Sequence, residues 1–126
     1  MYKKLLFVMV CLSLFSVIIA ACSIKEQVEA STKVKMGSAD FIDKEVTVKK
    51  GESIALVDTV SAPHTIANGS WAGNKAKVAT EPGAPVVSNV NFTGNDSKNI
   101  GPFTTAGTFK FYCTIHPGMN LTVTVV

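Results

Sequence analysis

The stretch F-K-F-Y-C-T-I-H-P-G-M-N-L-T-V-T-V-V, residues 109 to 126, decides how this chain is read. Side chains alternate across a strand, so Phe109, Phe111 and Cys113 share one face and Lys110 and Tyr112 the other. The thiol therefore belongs to the aromatic, buried side. Beyond the Pro117-Gly118 turn, Leu121, Val123 and Val125 alternate with Thr122 and Thr124, the pattern of a second strand with one face in a core. Two strands thus hold one tight loop that carries the Cys113 thiol, the His116 imidazole and the Met119 thioether. Thiolate, imidazole and thioether together suit copper cycling between two oxidation states, and a trigonal two-His, one-Cys site with a weak axial Met needs one more imidazole.

The chain has one other histidine, His64, in S-A-P-H-T-I after the strand-like run Ser53 to Val60. With P-H-T upstream and F-Y-C-T-I-H-P-G-M downstream, the chain resembles the small blue (type 1) copper proteins, the cupredoxins of the plastocyanin, amicyanin and pseudoazurin kind. The short Cys-x-x-His-x-x-Met spacing is most similar to amicyanin. The K-K-G-E-S-I-A-L-V-D run extends the likeness, which spans Val34 to the carboxyl end. The resemblance implies one copper ion held by His64, Cys113, His116 and Met119, and a Greek-key β-sandwich. Two positions depart from the family pattern. Thr65 stands where an Asn commonly ties the two ligand segments together, and Leu121 stands where Gly is usual.

Upstream, the chain reads as leader and tether. Met1-Tyr2-Lys3-Lys4 precedes an almost wholly apolar run from Leu5 to Ala21, and Ile19-Ala20-Ala21-Cys22 resembles a bacterial lipobox. Residues 1–21 are expected to be a lipoprotein-type signal peptide, with Cys22 lipidated as the first mature residue. Ordinary cleavage leaving Cys22 free, or an uncleaved helix, are the alternatives; the apolar run sits at the short limit for crossing a bilayer. One acyl chain anchors only marginally, so stable attachment needs two or three. Residues 22–33 are polar and of mixed charge, a tether whose eleven residues from Ser23 to Lys33 span at most about 36 Å. A Cys22–Cys113 disulfide would leave His116 and Met119 without a purpose, and needs α-carbons within about 7 Å.

Residues 34–126 read as one all-β domain. Val34 to Met36 and Glu45 to Val48 are strand candidates, with Phe41 between them as a core plug and Lys49-Lys50-Gly51-Glu52 as a turn. Ser53 to Val60 is apolar on both parities, a central strand covered on both faces. Pro63 fixes the backbone just before His64. Asn68 to Pro85, rich in Gly, Ala, Asn and Pro, reads as a long loop in which Trp71 is a lid over the core. Val86 to Phe92 is strand-like, Thr93 to Lys98 a turn cluster, and Phe103 to Thr108 leads through Gly107 into the ligand strand. Seven to eight short strands without a helical period argue for an antiparallel sandwich of about 100 residues.

Composition excludes some function classes. Removing Lys3 and Lys4 with the leader takes the net charge from +3 to +1, and there is no arginine. Lysines alternate with acids, which gives no support for a nucleic-acid partner. Multicopper enzymes need many more histidines, a binuclear copper centre needs a second nearby cysteine, and Cys113 with His116 lacks an orienting third group for nucleophilic catalysis. The resemblance therefore implies a carrier of single electrons, not an enzyme. It implies a redox-protein partner such as a cytochrome or a membrane electron-transport complex, and the lipobox-like leader leads us to expect a monomer at the outer face of the cell membrane or in the periplasm. His116 would present its ring edge through an apolar patch including Ala62, Pro63, Pro117 and Gly118. Tyr112 matches a family position used as a second electron port, or is simply a sheet-surface aromatic. A copper store or chaperone using the same ligands is the alternative function, and a metal-free adhesion module the third.

Overall fold

The computed structural model describes residue 30 and residues 32–126. The signal peptide expected at 1–21, the lipidation of Cys22 and nearly all of the tether lie outside the described residues. The tether's expected end does not hold, because Thr32 and Lys33 already belong to the first strand. Every regular element among the described residues is a strand: β1 Thr32–Met36, β2 Glu45–Val48, β3 Ile54–Asp58, β4 His64–Ala72, β5 Lys75–Val78, β6 Val90–Phe92, β7 Ser97–Ile100, β8 Gly107–Cys113 and β9 Asn120–Val125.

These form two layers. One sheet runs β1-β3-β7, and the other runs β2-β9-β8-β4-β5 with β6 also paired to β4. The expected sandwich is present with nine strands, and it is not antiparallel throughout. β1 lies parallel to β3, and β2 parallel to β9. Alternation explains the core. Val34, Met36, Ile54, Leu56 and Ile100 point inward from the smaller sheet, and meet Phe109, Phe111, Cys113, Leu121 and Val123 from the larger. Lys33 and Lys35, the intervening residues of β1, stay exposed. Phe41 and Phe103, carried on connections, are almost wholly buried and join the same core cluster. Phe103 meets Phe111 edge to face at 6.1 Å, a favoured aromatic geometry.

β3 is the middle strand of its sheet, which accounts for its apolar residues on both parities. One buried residue breaks that rule: Asp58, at its end, is 2% exposed.

The region read as a loop from Asn68 to Pro85 is instead a hairpin followed by a loop. β4 runs on to Ala72, turns through Gly73-Asn74 with Ala72 opposite Lys75, and returns as β5. Gly73 takes a φ of +59° at the first turn position, where glycine is favoured in two-residue hairpins. β5 is exposed at every position, so no alternation of apolar residues marks it. In the other direction, the expected strand over Val86 to Phe92 shortens to β6. Val86 is 82% exposed, and Val87 is anchored through its N–H to the buried Asn68 side chain. β7 begins inside the expected turn cluster, at Ser97.

Candidate metal centre

Two chain segments converge at one end of the sandwich. His64 opens β4 and Cys113 closes β8. These strands are antiparallel neighbours, with Ile66 opposite Cys113, so register alone brings the two residues close. The loop from Thr114 to Gly118 then turns over the end of the core and supplies His116, and Met119 leads into β9.

Backbone hydrogen bonds fix that loop. The Met119 N–H donates to the His116 carbonyl at 3.1 Å, the Cys113 N–H donates to the Met119 carbonyl at 3.0 Å, and Gly118 adopts a φ of +82° to make the turn. The Thr114 N–H donates to the Thr65 carbonyl at 2.8 Å, tying the loop to the His64 strand. At Thr65 the tie between the two ligand segments is thus made by the backbone, and the hydroxyl donates sideways to Asn91 at 2.9 Å. Leu121 is buried opposite Phe111, so the departure from Gly fills the core beneath the loop.

The donor atoms of His64, Cys113 and His116 all lie within 4.8 Å of one another. Cys113 Sγ is 3.3 Å from His116 Nδ1, and the two imidazole rings stand 5.0 Å apart at 60°. Met119, fully buried, shares the core cluster with Cys113. His64 is 1% exposed, and its Nε2 lies 2.8 Å from the Gly37 carbonyl. A carbonyl can only accept, so Nε2 carries the proton and Nδ1 keeps its lone pair. That Nδ1 is buried without any hydrogen-bond partner. An orphaned buried acceptor is costly, and here it belongs to a cluster of soft and borderline donors. A buried thiolate sulfur, two imidazole nitrogens and an adjacent thioether fit copper better than the harder divalent ions.

The site has a dry side and a wet side. Cys113 and Met119 are 0% exposed, whereas His116 is partly exposed between exposed Pro117 and Ile115. Burial, and after it the neighbouring His64 ring, holds the His116 imidazole below its ordinary 6.5. A ring that resists protonation keeps its nitrogen available near neutral pH. The Thr65 N–H points at Cys113 Sγ from 3.5 Å, the kind of contact that tunes a thiolate ligand. Around His116, Pro63, Ile115, Pro117 and Gly118 are exposed and Ala62 is half-buried.

Tyr112, read as a second electron port or a sheet-surface aromatic, is covered in the structure. It lies on the outer face of its sheet, but is only 3% exposed because the Trp71 ring meets it edge to face at 5.9 Å. Trp71 is also no lid over the core: its indole N–H donates to the Cys113 carbonyl at 2.8 Å. Asn120 clamps it by accepting from the Trp71 N–H at 2.7 Å and donating to the Trp71 carbonyl at 3.2 Å. No signal linked Trp71 to Cys113, 42 positions away. Asp58, packed under His64, was also missed, because it reads as the polar end of a strand.

A family model described as copper binding proteins, plastocyanin/azurin family, matches residues 28–126. Among solved structures, the amicyanin of Paracoccus versutus (Thiobacillus versutus) is 24% identical over 79% of this chain and 83% of its own, with a TM-score of 0.58. The reduced state of an amicyanin variant is 22% identical, covering 80% of this chain and 87% of its own at a TM-score of 0.58. A reduced Cu(I) form of another variant, at pH 4, is 20% identical over the same shares with a TM-score of 0.59. These likenesses establish the fold, and the family match spans all of the described residues. With a fitting donor cluster at the end of that fold, the chain belongs to the plastocyanin/azurin family of copper-binding proteins and takes one copper ion as its cofactor.

Proposed function

We propose that the protein is a one-electron carrier in which His64, Cys113, His116 and Met119 hold the copper. The single observation that carries this reading is the convergence of His64, Cys113 and His116 donor atoms within 4.8 Å at the end of a rigid β framework. When bound, copper supplies a one-electron couple between its cuprous and cupric states.

The chain's own residues account for the rest. Cys113 and the two imidazoles are held by strand pairing and by four hydrogen bonds, those from Cys113, Thr114 and Met119 N–H and that of His64 to Gly37, none of which depends on a metal. A donor set held in place by the fold moves little when the charge at its centre changes, and electron transfer then loses little energy to rearrangement. Burial of Cys113, His64 and Met119 excludes water from the sulfur side. His116 alone reaches solvent, and the exposed Pro63, Ile115 and Pro117 around it give a flat apolar surface on which a redox protein can dock within electron-transfer distance. Partners of the cytochrome or membrane electron-transport class fit such a surface. No bond is made or broken in a substrate, so the protein acts as a carrier and not as an enzyme. Residues 1–21 as a lipoprotein leader and Cys22 as an acylated anchor would keep the monomeric domain, which begins by Thr32, on the outer side of the membrane. The sequence pattern supports that placement.

The test is optical. The purified protein loaded with Cu(II) should show an intense visible thiolate-to-copper band, bleached by ascorbate and absent in Cys113→Ser. A colourless protein that binds zinc tightly would overturn the carrier reading. Tight Cu(I) capture followed by ligand exchange to an apoprotein, without a fast reversible couple, would favour a chaperone.

A further inference from the structure

Asp58 is a buried acid that neither the core nor the donor set explains. Its side chain is 0% exposed, and it ends the otherwise apolar strand β3. Oδ1 accepts a long hydrogen bond from the Val60 N–H at 3.3 Å, and Oδ2 has no hydrogen-bond partner among the described residues. Removing a carboxylate from water without partners is expensive, and core strands rarely keep one. Among the described residues its cation-capable neighbour is His64, whose Nε2 lies 3.9 Å from Oδ1 and is also fully buried. That nitrogen is across the ring from Nδ1, the buried acceptor with no hydrogen-bond partner among the described residues.

From this we infer that Asp58 is a positioning residue that acts through His64: its buried negative charge sits behind the imidazole and favours the more positively charged, oxidised state of the centre. The inference rests on the proposed copper site. Physically, a carboxylate behind a ligating imidazole orients the ring and raises its basicity. A charge in a protein interior acts on its neighbours far more strongly than an exposed acid does through water. The Gly37 carbonyl already fixes the tautomer. Asp58 therefore contributes charge, at a cost in folding stability that the metal-loaded state offsets.

The two consequences carry opposite signs, which separates this role from a merely structural one. In Asp58→Asn, with the full-length protein, the copper-free form should resist urea better than the parent, since a buried unpaired charge has gone. The loaded form should shift toward the reduced state by at least about tenfold at fixed poise, a rise in potential of about 59 mV or more. Asp58→Ser is smaller and can still accept from Val60, and should show the same rise if the amide does not fit. Glu45→Gln, the same loss of charge at an exposed position, should move neither quantity. A potential unchanged in both Asp58 variants overturns the inference, and so does a rise accompanied by a less stable copper-free form in both. Absence of the visible band in the parent protein would instead defeat the copper-site reading itself.

Discussion

The ligand end of the sandwich and the β4–β5 hairpin are built from the same strand, yet they follow different rules. From His64 to Asn68, β4 lies between β6 and β8, alternates buried and half-buried residues, and shares its inward face with the core. From Gly69 onward it pairs with β5, whose four residues are all exposed. The first half is held by packing, and the second by hydrogen bonds and a few close fits. The site thus depends on tertiary burial, while the hairpin is a surface attachment that reaches the site at one point, Trp71.

Breaking the packed half should have the largest effect. Phe111→Ala empties a fully buried position beside Cys113 and removes the edge-to-face contact with Phe103. A cost of about 3–5 kcal/mol is expected in urea unfolding of the copper-free protein. The visible band of whatever remains folded should broaden as the thiolate loses its fixed seat. A loss below 1 kcal/mol would mean that the aromatic layer is not what holds the ligand strand.

The hairpin should fail more gently, and by a different cause. Gly69 has a φ of +132°, and a Cβ there would stand 2.3 Å from the Lys77 carbonyl oxygen and 2.9 Å from the Tyr112 ring. Gly69→Ala should therefore force β5 off β4 at a cost of about 1–3 kcal/mol. Amide exchange should rise across Lys75 to Val78 while Phe109 to Cys113 stays protected. Equal loss of protection in both places would show that the two regions are one cooperative unit.

How much of this was legible follows the same division. Residues 109–126 alternate because β8 and β9 each bury one face, so strands, turn and donors could be read directly. β3 could be read because a middle strand is apolar on both parities. β5 buries nothing, so its only marks were Gly73-Asn74, a two-residue turn signal set in a stretch without alternation. The parallel pairings of β1 with β3 and β2 with β9 come from how the layers stack, which periodicity does not encode. Trp71 and Asp58 escaped for a related reason. Each acts through a contact across the fold, Trp71 with a backbone carbonyl and Asp58 with the far nitrogen of a ligand ring, and neither contact requires a sequence spacing.

Trp71→Phe sharpens the comparison at the single junction between the regions. The ring's packing on Tyr112 is largely kept, but the hydrogen bond to the Cys113 carbonyl is lost, for about 1 kcal/mol of stability. The reduction potential should change measurably, because the backbone of the thiolate ligand loses a donor. An unchanged potential would reduce Trp71 to a cover for Tyr112.

The smallest expected effect is one of acidity, and it should touch only the ligand end. His116 is held below its ordinary 6.5 in the folded protein by burial and by the nearby His64 ring. Once the loop opens, the imidazole regains its ordinary affinity for a proton, so below about 6.5 the open form binds more protons than the closed form. Stability of the copper-free loop should be complete above that pH. It should fall as pH drops from about 6.5 toward the lowered value in the folded state. Exchange of the amides between Thr114 and Gly118 should therefore quicken relative to the base rate of exchange over this interval, while those of β5, which carries no histidine, should not. Copper competes with the proton for the same imidazole and should displace the onset to lower pH. An identical acid response in the hairpin would mean that the protonation being measured belongs to the whole fold and not to the loop.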